Sequence, residues 1–108
     1  MKVSRVEELL TSALAMITDA KTSLDNENSR MAISIFAKDS LIDEITNNSN
    51  KIIADYILQH PEEVDEALNM HNIIRKIERM GDHSSNIAEE IVFYIEAKVL
   101  KHNKAARK

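Results

Sequence analysis

Asp39 and Asp43 stand four residues apart in the stretch AKDSLIDEI, and Glu78 and Asp82 repeat that spacing in IERMGDHSSNIAEE. Residues four apart share one face of a helix, so each pair sets two carboxylates side by side. Brought together, the pairs would offer hard oxygen donors suited to Mg²⁺, Ca²⁺, Mn²⁺, Zn²⁺ or iron, and several carboxylates can bridge more than one ion. The absence of cysteine removes thiolate ligands and disulfides. Asn86 and Glu89, in the following NIAE run, are weaker candidates for metal or polar support: Glu89 shares the polar stripe of Asp82, whereas Asn86 lies on a slightly rotated face. Between the acids sits the chain's one glycine, Gly81. A glycine inside a helix costs ~1 kcal/mol relative to alanine. Without a Cβ, it lets a neighbouring helix come close or lets a ligand reach the carboxylates.

The elements that must position these acids follow from composition and period. One glycine and one proline in 108 residues leave almost nothing from which to build hairpins, so the fold class is all-α. A first amphipathic helix is expected over about 4–24, opening on the capping-box pattern Ser4-Arg5-Val6-Glu7 and turning Val6, Leu9, Leu10, Ala13, Leu14, Met16 and Ile17 inward. It ends at Asp25-Asn26-Glu27-Asn28, residue types that favour turns and helix starts. A second helix over about 29–59 carries the stripe Met31, Ile35, Ile42, Ile45, Ile52 and Tyr56. His60-Pro61-Glu62-Glu63 then starts a third helix over about 61–101, with proline at the first helical position and acids at the positive end of the dipole. Its inward stripe is Ile74, Ile77, Gly81, Ser84, Ala88, Ile91 and Ile95, and residues 102–108 are expected to fray.

Short connections make neighbouring helices antiparallel, giving one elongated up-down-up three-helix bundle over residues 1–108. The hairpin between the second and third helices serves as a ruler. With its turn centred between His60 and Pro61, Asp39 falls level with Asp82, and Asp43 with Glu78. Asp39 interrupts an apolar stripe, where an uncompensated charge is costly. A cation would compensate it; so would Lys38, Arg75 or Arg79, and a polar stripe on a bundle is otherwise simply a solvated face.

A formal net charge of −4 argues against nucleic acid as a partner, because that affinity needs a basic face. The longest apolar run, IVFYI at 91–95, is far short of the ~20 residues that span a bilayer, and MKVSRVEELL lacks the apolar centre of a signal peptide. A soluble, cytoplasmic chain is expected. Its basic end, Lys101 to Lys108, offers at most peripheral contact with lipid headgroups.

The run IERMGDHSSNIAEEIVFYIEAKVLKH resembles the last long helix of the PhoU family of phosphate-uptake regulators, whose signature is Glu-Arg-Ile-Gly-Asp-His followed by Asn-Ile-Ala-Glu. AKDSLIDEI resembles the family's other signature, an acid, three residues and an aspartate on the preceding helix. The resemblance covers nearly the whole chain. It departs in length: family members usually hold two such repeats, and this sequence is similar to the C-terminal one. It is then either an excised half or a single-repeat member, in which self-association, most simply a homodimer, would rebuild the two-repeat surface. The resemblance implies a regulatory, non-enzymatic role in the cytoplasm, acting on the ATPase of the phosphate ABC transporter and on the phosphate-sensing histidine kinase. It also implies multinuclear metal binding through the acid-x-x-x-aspartate motifs, here Asp39 with Asp43 and Glu78 with Asp82.

Three other readings compete. A di-iron carboxylate oxidase wants Glu-x-x-His pairs on helices. Three residues before His60, His71, His83 and His102 stand Ile57, Leu68, Met80 and Val99, so none exists. A histidine phosphotransfer bundle would use His71 or His83, but the Lys-Gly neighbourhood of that family is missing: Asn-Ile-Ile-Arg follows His71. A metal-free helical interaction module would leave the acids solvated or paired to arginines.

Overall fold

Asn28 opens the second helix by accepting a hydrogen bond from the Met31 amide at 3.2 Å, and Glu27 before it takes a left-handed φ of 52° that turns the chain. The Asn28 amide then donates to the Ser23 carbonyl at 2.9 Å, closing the end of the first helix. Such local bonds satisfy backbone groups that helix ends leave unpaired. A computed structural model describes residues 5–106. They form α1 (Val6–Asp25), α2 (Ser29–Gln59), a single 3-10 turn (Pro61–Glu63) and α3 (Val64–Ala106), with no strand among the described residues.

Ser4, the first member of the capping-box pattern, lies outside the described residues. Arg5 takes the cap position without a capping bond and pairs instead with Glu8, Nε to Oε2 at 2.9 Å. At the other hairpin the sequence places the third helix from Pro61, whereas the α-helix proper begins at Val64. The Glu63 amide donates to the His60 carbonyl at 2.9 Å, an i to i+3 bond that tightens this first turn into 3-10 geometry. The frayed tail expected from His102 is corrected as well: α3 stays helical to Ala106, and residues 107 and 108 lie outside the described residues. Lysine and alanine are strong helix formers, and cations suit the negative end of the dipole, so a tail without apolar period still propagates the helix.

The helices run up, down and up as a rod of 72 × 16 × 16 Å. Leu9, Ala13 and Met16 of α1 meet Ile35, Ile42 and Ile45 of α2 and Ile74, Ile77 and Ala88 of α3 along its axis, all buried. Alanine on each helix lets the three axes converge, at the expense of a thin core. A seam this narrow admits only part of the stripes expected to point inward. Leu10, Leu14 and Ile17 remain about half exposed because Leu9, Ala13, Met16 and Ala20 occupy the seam. On α2, Ile53 is buried and Ile52 is not. The α3 stripe is buried as its spacing requires, Gly81 and Ser84 included.

Candidate metal centre

The antiparallel α2–α3 hairpin carries Asp39 and Asp43 on one helix and Asp82 on the other. One carboxylate oxygen from each of the three lies within 4.8 Å of the other two. Asp39 reaches deepest. Its Oδ1 is buried without a hydrogen-bond partner, while Asp43 and Asp82 are exposed. Gly81 accounts for that burial: a Cβ at this position would lie 3.0 Å from Asp39 Oδ1 and 3.2 Å from Ile42 Cδ1. The missing side chain therefore lets the Asp39 carboxylate lie against the α3 backbone a few tenths of an ångström closer than a Cβ would comfortably allow.

Glu78 is half-buried one turn before Asp82 and stands beside the three aspartates, outside the group whose oxygens converge. Asn86 and Glu89 line, with Phe36, Asp39, Asp82 and Ser85, an open cleft of about 500 Å³ next to the acids. The second-tier residues thus border the cleft without joining the cluster.

The electrostatics are those of acids held together without enough countercharge. Burial, then the charges of Asp43 and Asp82, push the Asp39 carboxyl above its ordinary value, with the Ser85 hydroxyl pulling the other way. Asp43, exposed as a residue, is raised by partial burial of its carboxyl and then by Asp82. Glu78 is raised by burial and then by Asp43 and Asp82, against which the Arg75 charge acts. The basic side chains close to the group in sequence, Lys38, Arg75 and Arg79, mostly serve elsewhere. Lys38 pairs with Asp19. Arg75 and Arg79 line a separate polar hollow with Asn72 and Lys76. Among the described residues no lysine or arginine forms an ion pair with Asp39, Asp43 or Asp82. A donor set of oxygens alone, an unpartnered buried oxygen and a cradle kept clear by glycine fit a hard cation.

A second convergence escaped the sequence reading. His60, Glu62 and Glu63 bring one ligand atom each within 4.8 Å of one another at the α2–α3 turn. His60 Nδ1 lies 3.5 Å from Glu62 Oε1 and 3.7 Å from Glu63 Oε2, and the Tyr56 hydroxyl donates to Glu63. The Tyr56 and His60 rings are 4.7 Å apart. The signal lies in the four-residue step from Tyr56 to His60 and in the acids two and three residues after that histidine, a pattern that also marks a helix start. Of the two histidines considered for phosphotransfer, His83 is exposed and His71 half-buried.

The family model of the PhoU domain matches residues 6–91. Among curated proteins the chain is 26% identical to a phosphate-specific transport system accessory protein PhoU homolog of Deinococcus radiodurans, over 87% of this chain and 44% of that protein. A Thermotoga maritima homolog is 26% identical over 92% of the chain and 43% of its own length. One from Clostridium acetobutylicum is 31% identical over 82% and 45%. The chain therefore spans less than half the length of these curated relatives. No solved structure gives a significant match.

Proposed function

The chain belongs to the PhoU family, and from that premise we propose that it is a cytoplasmic regulator of phosphate uptake and phosphate-starvation signalling that binds metal and works through protein contacts. Its relatives are named as accessory proteins of a phosphate-specific transport system, which makes the transporter's ATPase and the phosphate-sensing histidine kinase the partners to test. The role is regulatory and not enzymatic. No helix among the described residues is long and apolar enough to cross a membrane. Self-association, most simply as a homodimer, is part of the proposal.

One observation carries the metal reading: Asp39 Oδ1 is buried, unpartnered and held against Gly81 with two further carboxylates converging on it. Asp39, Asp43 and Asp82 would hold the ion or ions, with Glu78 beside them and Asn86 and Glu89 in support. A bound cation supplies the positive charge that this group lacks. Metal analysis of protein purified without added metal, with Asp82→Asn alongside, tests the site. Metal in the wild type and its loss in the variant are expected; none in the wild type, or equal content in both, removes the assignment and leaves the metal-free interaction module. Binding assays with the transporter ATPase and the sensor kinase test the regulatory half, which fails if neither binds.

A further inference from the structure

Where α1 and α3 run side by side, the rod presents apolar side chains that the chain itself does not cover. On α1 these are Leu10, Leu14, Ile17 and Leu24, all set by steps of three and four residues or their sum. On α3, Ile73, Ile87 and Tyr94 fall on one seven-residue repeat that half-buried Met80 completes. Each of the seven exposed residues is 44–53% accessible. Ile17, Ala20 and Leu24 flank a groove whose far wall is Ser84, Ile87 and Ile91, which sets the two stripes in register. Paired stripes of this spacing form the seam on which another helix pair packs.

We infer that this α1–α3 face binds a second copy of the chain, antiparallel, across a two-fold axis at the level of Ile17 and Ser84. Area favours a stable partner. Seven half-exposed side chains at roughly 90 Å² each make about 600 Å² of apolar surface, the upper end for a monomer's patch and most of the ~800 Å² per partner in a standard interface. The arrangement is also self-complementary. Leu10 and Leu24 each lie seven residues from Ile17, so the axis sets one against the other. Lys76 and Glu90 each lie seven residues from His83, on the flank of the apolar stripe, so Lys76 of one copy faces Glu90 of the other, twice. An isologous interface requires this kind of matching of a surface with itself. The inference deepens the self-association proposed above. It uses none of the acids between α2 and α3, so either can fail alone.

Sedimentation equilibrium of the full chain is the test. Wild type is expected at twice 12.3 kDa. Ile17→Glu with Ile87→Glu is expected to give a monomer that keeps its helical circular dichroism. Because core-adjacent changes can unfold a chain, exposed charge variants give a second arm. Lys76→Glu should weaken the dimer about tenfold by replacing two favourable rim pairs with two repulsive ones, and adding Glu90→Lys should restore it. Asp82→Asn should remain dimeric whatever its metal content. A wild-type monomer at high micromolar concentration, a dimer that survives the paired glutamates, or a charge swap that restores nothing would each overturn the inference.

Discussion

Gly81 shows how one residue couples the fold to its candidate site. Replacing it with alanine gains ~1 kcal/mol of helix propensity. The new Cβ, however, would press on Asp39 Oδ1 at 3.0 Å and Ile42 Cδ1 at 3.2 Å, both ends of side chains that can yield. The two effects oppose, so Gly81→Ala should change the unfolding free energy by less than ~1 kcal/mol while displacing the Asp39 carboxylate. Metal affinity measured by calorimetry should fall at least tenfold; unchanged affinity would mean that the cradle does not matter. The acids themselves predict a pH dependence. Asp39, Asp43 and Glu78 are raised from ordinary values of 3.8, 3.8 and 4.5, so the folded chain holds their protons where the unfolded chain has released them. That stabilisation is present at the acid end and is lost as pH rises through the raised values. Urea titrations of metal-free protein should therefore show this contribution declining from about pH 4 upward, less steeply in Asp82→Asn, which removes one of the repelling charges. A steeper decline in the variant would contradict the assigned cause.

At the scale of elements, the α2–α3 turn decides whether the two acidic faces meet, and Tyr56 helps to hold that turn. Its hydroxyl donates to Glu63 in the 3-10 segment and its ring lies against His60. The hydrogen bond to Glu63 is the largest cause pushing the Tyr56 hydroxyl up to about 12 from 10.0. A raised value here means that the bond's stabilisation is complete below pH 10 and disappears as pH climbs through about 12. Ultraviolet titration should show one tyrosine ionising near 12 in the wild type, and that step should be gone in Tyr56→Phe; its persistence in the variant would refute the assignment to Tyr56. The turn also separates what the sequence made legible from what it hid. Helix number and order follow from scarce glycine and proline and from steps of three and four, and the hairpin ruler sets Asp39 level with Asp82. Periodicity reports the face of a residue and not the width of the seam receiving it, so Leu10, Leu14 and Ile17 could not be told from Leu9, Ala13 and Met16. Nor does it describe side chains converging around a turn, which is why His60, Glu62 and Glu63 went unnoticed, or the step that leaves Glu78 beside the aspartates.

For the whole molecule the controlling fact is shape. A rod of 72 × 16 × 16 Å exposes far more surface per residue than a sphere, and three helices with alanine in their shared seam bury only a thin core along it. Such a rod can gain cover along its side or at its ends, and the two modes differ strongly in scattering. The isolated chain has a Cα radius of gyration of 18.8 Å. Two rods lying side by side, their axes about one rod width apart, raise that only to about 20 Å, whereas two joined end to end reach about 40 Å. The apolar stripe runs along the α1–α3 side from Leu10 to Leu24 and from Ile73 to Tyr94, leaving the rod tips out of the seam. Small-angle scattering at a concentration where the mass is doubled should accordingly give a radius close to that of the single chain and a thicker cross-section. A doubled mass with a radius near 40 Å would move the contact to the tips and leave the side stripe uncovered. The side-by-side form has a consequence for the candidate metal centre: the acids of the two copies lie on the α2 sides of α3, away from the shared seam. The two clusters should then bind metal independently, with calorimetric stoichiometry per chain the same in the dimer and in the Ile17→Glu, Ile87→Glu monomer.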